Sequence, residues 1–324
     1  MKNKPQVSII IPNYNYSHFL EERFNSILNQ SYDDYEIIFL DDASQDNSLE
    51  LVNKKYRKYI HKLKVNQSNS GNPFIQWNRG VKLAEGSYLW IAEADDTCEP
   101  TFLEASVNIL EKNPSIGLAY CLSVPINVDG KVIDSQFYQS YVQDLDSSRW
   151  LEDFFADGRH EVRQYLGCKN TITNVSGVLF RNDAYISSGY APEEMRMCGD
   201  WMVYCKILYN WDIAFISQPL NYHRQHPVKH TQNSVLNLTY FEEFLKVQKY
   251  IKSTFSLNED ETKLAFYRFI NEWDRLTVSS YGRIGLKKTI SLALMGLKNY
   301  PKVNYYPKIL KHLMVNILKS IESK

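Results

Sequence analysis

Residues 74–96, FIQWNRGVKLAEGSYLWIAEADD, predict a helix, a buried strand and an acidic cluster in direct succession. The helix is expected over Phe74–Ala84, because apolar residues recur there at helical spacing and Gly86 follows its end. Tyr88–Ala92 is a short apolar run of the kind that forms a strand covered on both faces. Carboxylates follow this strand at once, so its carboxyl end is the first candidate for a functional site.

Two strand and helix pairs precede this stretch. Val7–Ile11 predicts a strand followed by a helix over Phe19–Gln30, and Glu36–Leu40 predicts a strand followed by a helix over Leu49–Ile60. Parallel neighbouring strands need crossover connections, and helices supply them. The sequence therefore predicts an α/β fold with a mostly parallel sheet flanked by helices.

The second half of the chain is less regular and ends in a helical region. Its predicted elements are a helix over Phe102–Lys112, a strand over 117–122, loops and short helices to about residue 174, a strand over Val175–Arg181, a helix over Trp201–Tyr209 and a strand over Ile213–Ile216. From about Tyr240 onward the pattern is wholly helical. We therefore predict one domain over residues 1–235 and a helical C-terminal extension over residues 236–324.

Composition limits the classes of function. Lys+Arg and Asp+Glu number 37 each, so no net charge favours binding to nucleic acid. Five scattered cysteines without a CxxC pair match neither a disulfide framework nor a zinc site, and no apolar run approaches the roughly 18 residues that span a bilayer. The opening MKNKPQVSIIIPNYN is typical of a first strand rather than a signal peptide. We expect a cytoplasmic protein.

Polar clusters follow three of the predicted strands, and ligands of such sheets bind at the carboxyl ends of the strands. The clusters are residues 12–15, Asp41-Asp42, and the acidic cluster Glu93-Ala94-Asp95-Asp96. Three carboxylates within four residues repel one another unless a cation neutralises them, and oxygen ligands of this kind bind Mg²⁺ or Mn²⁺. The alternative is an exposed acidic turn that caps the next helix.

The segments VSIIIPNYN, FLDDASQDNS and NSGNPFIQWNRGVKLAEGSYLWIAEADD, at the spacing found here, resemble the family 2 glycosyltransferases with the GT-A (Rossmann-like) fold. The resemblance is close over about the first 100 residues and continues more loosely to about residue 234. It implies inverting transfer of a sugar from a nucleotide-diphosphate donor, typically a UDP-sugar, to a hydroxyl acceptor. The acceptor would be a glycan or lipid-linked intermediate of bacterial surface polysaccharide synthesis. Residues 1–100 would bind the nucleotide and residues 101–235 the acceptor.

The resemblance also implies a nucleotide site. Tyr14 would stack on the base beside Pro12, and Asp42 would hydrogen-bond the base. The other residues that match the nucleotide-binding segments are Asn69, Gly71, Asn78 and Asp95. Without the resemblance, a turn or helix-capping role is the favoured interpretation of Asp41-Asp42.

The expected cofactor is a divalent metal, Mn²⁺ or Mg²⁺. Asp95 and Asp96 match the paired acids that end the family's DXD-type motif, and Asp96 is the first choice as metal ligand. Glu93 departs from the pattern, since the family more often has Asp there. Its extra methylene changes its reach, so direct and water-mediated contact with the metal both stay open.

Inverting transfer needs a base that removes the proton of the acceptor hydroxyl. Asp200 matches the second acid of the family's ED-type motif and is the expected base, whereas Gly199 replaces the usual Glu. On the residues alone, an Asp at a helix start is a capping residue. Trp201 is a candidate on the acceptor side, with a core aromatic as the alternative.

The segment 221–234, NYHRQHPVKHTQNS, is dense in cationic and imidazole side chains. They are His223, Arg224, His226, Lys229 and His230. The resemblance assigns Arg224 and His226 to the leaving diphosphate, and His226 also to the metal. The alternative is a solvated basic turn.

The end of the chain predicts an amphipathic helix from Pro307 onward. Its apolar stripe contains Ile309, Leu310, Leu313, Met314, Ile317, Leu318 and Ile321, surrounded by Lys308, Lys311, His312 and Lys319. This helix is expected to contact the inner face of the cell membrane peripherally, to pack on the catalytic domain, or to pack on a second copy of the chain.

Two other classes of function are alternatives to a glycosyltransferase. A catalytically inactive protein that keeps the fold for binding or scaffolding is motivated by the departures at Glu93 and Gly199. A nucleotidyltransferase is disfavoured, because that chemistry uses a glycine-rich phosphate loop after the first strand and PNYNYSHF contains no glycine.

Overall fold

The computed structural model describes residues 4–226, 238–274, 285–301 and 305–321. The chain forms two compact units. Unit 1 contains residues 1–161 and 171–226, and unit 2 contains residues 162–170 and 227–324. The predicted boundary near residue 235 falls in a stretch outside the described residues and stays a prediction.

Unit 1 is built on one sheet, to which the described residues contribute nine strands. They are β1 (Val7–Asn13), β2 (Tyr35–Asp41), β3 (Lys62–Val65), β4 (Tyr88–Ile91), β5 (Thr97–Cys98), β6 (Ile116–Ile126), β7 (Phe154–Ala156), β8 (Val178–Arg181) and β9 (Asp212–Arg224). Their order is β3-β2-β1-β4-β8-β6-β9-β5, and β7 pairs with β9.

The strands β3, β2, β1 and β4 run parallel, and the rest of the sheet pairs in both directions. Ile10 of β1 lies opposite Ile38 of β2 and Ile91 of β4. β8 is antiparallel to β4 and β6, whereas β6 and β9 are parallel. This arrangement confirms the predicted α/β fold and places the carboxyl ends of β1, β2 and β4 at one edge.

Helices of unit 1 connect these strands. They are α1 (Ser17–Leu28), α2 (Ser48–Leu51), α3 (Pro73–Leu83), α4 (Phe102–Lys112), α5 (Phe137–Val142), α6 (Gly158–Glu161), α7 (Asn182–Ser187) and α8 (Gly199–Ile207). The longer ones bury an apolar face. In α1 this face contains Phe19, Leu20, Phe24 and Ile27, and it also carries the fully buried Arg23.

Three predicted elements differ from those observed. Residues 175–177 form a 3₁₀ turn before β8 rather than strand, because the Asn174 side chain accepts a hydrogen bond from the Ser176 N–H and turns the chain. The helix expected over Leu49–Ile60 is divided into α2, a π turn and a 3₁₀ turn. β9 continues to Arg224, beyond the end of the strand predicted over Ile213–Ile216.

Unit 2 is helical, in agreement with the predicted C-terminal region. Its long helices are α9 (Thr239–Thr254), α10 (Glu259–Asp274), α11 (Gly285–Asn299) and α12 (Tyr306–Ile321). Aromatic rings fill its interior, for example Phe266 stacked on Tyr305 with ring centroids 4.4 Å apart. In the part of the chain that the structure describes, no helix combines the length and the apolarity needed to cross a bilayer.

Candidate active site

The acidic cluster follows β4 at the carboxyl edge of the parallel strands, and Asp96 is its most buried carboxylate. The Asp96 side chain accepts hydrogen bonds at Oδ1 from the Arg224 N–H (2.9 Å), and at Oδ2 from the Ser176 hydroxyl (2.6 Å) and the Asn174 amide (3.0 Å). Because both oxygens accept hydrogen bonds from the protein and the residue is only 3% exposed, Asp96 joins the acidic cluster to β9 and to the turn before β8.

Glu93 is held from three sides. Its carboxylate accepts a hydrogen bond from the Trp77 indole N–H (2.7 Å). Its carbonyl oxygen accepts one from Arg23 (2.8 Å), and its N–H donates to the Ser176 hydroxyl (3.1 Å). These contacts fix the Glu93 side chain and backbone at the end of β4.

Burial and electrostatic repulsion raise the pKa of two carboxyl groups, Glu93 and Asp96. Burial, reinforced by the charge of Asp95, raises the pKa of Glu93 to about 8 and that of Asp96 to about 6. The Arg23 guanidinium below the cluster opposes both shifts. Carboxyl groups in such a setting gain from a nearby cation, because a positive charge favours their ionised form.

Asp95 of the acidic cluster and the neighbouring His226 are both partly exposed. The Asp95 carboxylate lies 2.7 Å from His226 Nε2, and the two side chains are 16% and 27% exposed. This hydrogen bond raises the pKa of His226. Tyr16 stacks on the imidazole with ring centroids 5.6 Å apart. His226 is thus fixed beside Asp95 by a ring on one side and a carboxylate on the other.

The donor set is suitable for a hard divalent ion with few protein ligands. Among the described residues, no group of three or more His, Cys, Asp or Glu side chains is arranged around a common metal position. Asp95 and His226 offer a pair, and Mg²⁺ is commonly bound through one or two carboxylates plus phosphate oxygens and water. The geometry therefore favours Asp95 over Asp96, the first choice from the sequence, as the ligand; both assignments stay predictions.

Arg224 is buried and heavily hydrogen-bonded. Its guanidinium donates to the carbonyl oxygens of Asp95 (2.7 Å), Asn127 (2.8 Å) and Val128 (3.1 Å), and to the Glu22 carboxylate (2.5 Å). Through these bonds Arg224 joins the backbone of Asp95 to residues 127–128 and to Glu22. Its contact with the diphosphate stays a prediction. His223 is buried as well, whereas Lys229 and His230 lie outside the described residues.

Asp42 follows β2 at the same edge and organises the segment before α3. Its carboxylate accepts hydrogen bonds from the amide of Asn66, from Ser70 N–H (2.9 Å) and hydroxyl (2.7 Å), and from Gln76 (2.8 Å). Both carboxylate oxygens already have partners, so hydrogen bonding to a base stays a prediction for Asp42.

The other predicted nucleotide residues divide into exposed and buried ones. Tyr14 is 41% exposed, whereas Pro12 is buried within β1. Asn69 and Gly71 are exposed, and Gly71 has a φ of +66°, a left-handed conformation that favours glycine.

Asn78 is buried, donates to the carbonyl of Ala191 (2.9 Å) and accepts from its N–H (3.0 Å). Asn78 therefore binds the segment that leads towards Asp200.

The expected base lies at the start of α8. Asp200 is in the first turn of this helix and is partly exposed. A Cβ atom on the preceding residue, Gly199, would lie 2.4 Å from the ring of Phe74, so no side chain fits there without movement. Trp201 is only 3% exposed, and its proposed contact with an acceptor stays untested.

Several residues of the site were not predicted from the sequence. Ser176 and Asn174 come from a distant turn, and no local pattern points to their contacts with Asp96. The position of Arg23 is unusual already in the sequence. It lies among the apolar residues of the α1 face, where an unpaired cation is unfavourable. Such a position indicates a buried countercharge.

Comparison with known proteins identifies the family. The family model described as "Glycosyl transferase family 2" matches residues 8–169. Among curated proteins, the chain is 35% identical over 113 residues to the poly(ribitol-phosphate) beta-N-acetylglucosaminyltransferase TarP of Staphylococcus aureus, over 34% of each protein. The matched stretches cover between 13% and 44% of the lengths of such curated relatives, so the chain corresponds to only part of them.

Solved structures agree on the fold. The S. aureus TarS fragment 1–349 superposes with a TM-score of 0.71 at 17% identity, covering 98% of this chain and 92% of that one. The mannosyltransferase PcManGT of Pyrobaculum calidifontis, in complex with GDP-Man and Mn²⁺, gives a TM-score of 0.54 at 14% identity, covering 100% and 89%. With an acidic cluster at the carboxyl edge of a GT-A sheet and a family model that matches half of its length, the chain belongs to glycosyl transferase family 2.

Proposed function

We propose that the protein is an inverting glycosyltransferase that moves a hexosyl or N-acetylhexosaminyl group from a nucleotide-diphosphate sugar to a hydroxyl acceptor. The observation that carries the proposal is the convergence of Asp95, His226, Asp42 and Tyr14 on one edge of the sheet. TarS has been crystallised with UDP and with UDP-GlcNAc, which supports a UDP-sugar as the donor here.

The donor would lie across the carboxyl ends of the parallel strands. The exposed ring of Tyr14 provides a surface on which the base stacks, and Asn69 and Gly71 provide polar groups beside it. Asp95 and His226 are the residues that would hold a divalent ion. Such an ion supplies positive charge against the diphosphate.

Asp200 would act as the base. Its carboxylate accepts the proton of the acceptor hydroxyl while the hydroxyl oxygen bonds to the anomeric carbon. The bond between that carbon and the diphosphate oxygen breaks in the same step, so the nucleoside diphosphate leaves with the electron pair and the configuration inverts. The buried Arg224 acts indirectly in this arrangement, because it fixes the backbone of Asp95.

A thermal-shift screen tests this function. We expect a UDP-sugar to raise the melting temperature in the presence of Mn²⁺ but much less in EDTA, since a ligand at 100 times its Kd stabilises a protein by about 2.7 kcal/mol. Release of UDP from the stabilising donor is then measured. The absence of a shift with every nucleotide-sugar would contradict the proposal, and binding without turnover would support a catalytically inactive protein.

We further propose that the acceptor is a glycan or a lipid-linked intermediate, and that helices of unit 2 bind an anionic membrane surface. Residues 275–321 contain nine Lys or Arg and no Asp or Glu. The exposed face of α12 carries Leu310, Met314 and Leu318, at 51%, 63% and 57% exposure. The positive charges of residues 275–321 would repel those of a second copy of the chain. This repulsion favours an anionic bilayer over self-association as the partner of the α12 face.

Liposome flotation distinguishes these partners. We expect the full chain to float with phosphatidylglycerol vesicles at low salt and much less with phosphatidylcholine vesicles. Leu310→Gln combined with Met314→Gln and Leu318→Gln should abolish flotation, whereas the control Val132→Gln with Ile133→Gln, exposed residues of unit 1, should not. Equal flotation of both variants, or a dimer that the triple variant dissociates, would contradict membrane binding by this face.

A further inference from the structure

Side chains of helix α3 hydrogen-bond to the segment that precedes the expected base, Asp200. Asn72 caps α3 by accepting a hydrogen bond from the Phe74 N–H (2.9 Å), and its amide donates to the carbonyl oxygens of Glu193 (2.6 Å) and Met195 (2.8 Å). Asn78, six residues further along, donates a hydrogen bond to the carbonyl oxygen of Ala191 and accepts one from its N–H. The path of the chain from residue 191 to α8 is therefore set by α3.

The same helix contacts the first residue of α8 directly. Three ring carbons of Phe74 lie 2.4 to 2.7 Å from the position of a Cβ on Gly199. Phe74 is only 3% exposed, so its ring has little room to withdraw. Gly199 thus allows the ring of Phe74 to pack against the backbone next to Asp200.

Trp77 extends this contact to the acidic cluster. Its ring meets Phe74 edge to face, with centroids 4.9 Å apart and an interplanar angle of 89°. Its indole N–H donates to the Glu93 carboxylate at 2.7 Å. A continuous chain of contacts therefore runs from Glu93 through Trp77 and Phe74 to Gly199.

We propose that Phe74 and Trp77 are positioning residues that hold the acidic cluster and the start of α8 at a fixed separation. The proposal rests on the proposed function, in which the cluster faces the donor and Asp200 deprotonates the acceptor. Efficient transfer requires these two groups to be held at a set distance, and a displacement of about 1 Å can cost about 100-fold in rate.

The proposal gives one structural reason for both departures from the family pattern, Glu93 and Gly199. The extra methylene of Glu93 lets its carboxylate reach the indole N–H of Trp77, a bond that the shorter Asp would have to make from further away. The missing side chain at Gly199 leaves the space that Phe74 fills. The two residues that motivated an inactive protein are thereby parts of one packed contact.

Kinetics of three variants test the positioning role. We expect Gly199→Ala to lower kcat at least about tenfold while the KM for the donor changes less than about threefold, because the added methyl displaces Phe74 and the start of α8. Phe74→Leu should restore much of this loss in the double variant by making room for the methyl. Trp77→Phe keeps the ring packing and loses the bond to Glu93, so a similar loss of kcat is expected.

The matched control is Gly117→Ala. A Cβ on Gly117 would lie 2.5 Å from Trp211 Cβ, an equally tight collision at the start of β6, away from the carboxyl ends of the parallel strands. We expect this variant to lower the melting temperature without a selective loss of kcat. If Gly117→Ala and Gly199→Ala lower kcat equally, or if Phe74→Leu restores nothing, the positioning role is wrong.

A readout independent of activity separates this proposal from the proposed function. In protein labelled with 5-fluorotryptophan, the ¹⁹F resonance missing from Trp77→Phe belongs to Trp77. We expect Gly199→Ala and Glu93→Gln to shift that resonance and Gly117→Ala to leave it in place. An unmoved Trp77 resonance overturns the chain of contacts. If the resonance moves as expected but the wild-type protein transfers no sugar, the contacts are supported and the proposed function is contradicted.

Discussion

Replacing Asp200 with Asn is expected to lower kcat for sugar transfer by about 10² to 10⁴-fold, the usual contribution of a general base. Asn keeps the size and the hydrogen-bonding shape of Asp but takes up no proton. The N-cap of α8 is Cys198 and Asp200 is the second residue of the helix, so a lost cap would not explain the result. Affinity for the donor, measured by calorimetry with a UDP-sugar and Mn²⁺, should change less than about threefold.

Asp183 provides the matched control for this variant. It lies in the first turn of α7, as Asp200 lies in the first turn of α8, and it is exposed. Asp183→Asn should therefore leave kcat unchanged. Retention of transfer by Asp200→Asn would remove Asp200 from the role of base and leave it as an acidic residue of the first helical turn, where a negative charge interacts favourably with the helix dipole.

The sequence predicts the parallel part of the fold well because its signals are local. Apolar runs such as Glu36–Leu40 and the helical spacing in Phe74–Ala84 each depend on a few consecutive residues, and the observed β2 and α3 agree within about two residues. The same patterns place the acidic cluster at the carboxyl edge. Which carboxylates are open to a ligand is a tertiary property, and no local pattern contains it.

Asp96 illustrates that limit. The resemblance makes Asp96 the first choice as ligand, although Asp95 follows the same strand and is of the same residue type. In the fold, Ser176 and the Arg224 N–H come from segments 80 and 128 residues away and occupy its oxygens. Arg224 shows the same limit, because no local pattern extends the predicted strand as far as Arg224, which pairs with Ile126 in the fold; its contact with the diphosphate stays a prediction.

Separate substitutions of Asp95 and Asp96 by Asn should have different effects, one on metal affinity and the other on the free energy of unfolding. We expect Asp95→Asn to raise the Kd for Mn²⁺ in the presence of UDP at least about tenfold, since loss of one charged ligand weakens a site with few protein ligands. We expect Asp96→Asn to lower the free energy of unfolding by about 1–3 kcal/mol, because an amide cannot accept hydrogen bonds at both of its ends. Manganese titrations and urea unfolding measure the two effects.

The contrast between the variants decides which acid holds the ion. Asp95 contacts His226 at the exposed side of the cluster, whereas Asp96 accepts three hydrogen bonds in its interior. Weak Mn²⁺ binding confined to Asp96→Asn, with Asp95→Asn unaffected, would restore Asp96 as the ligand. It would also mean that donor binding pulls Asp96 away from Ser176, so the Ser176→Ala variant should then bind Mn²⁺ more tightly than the wild type.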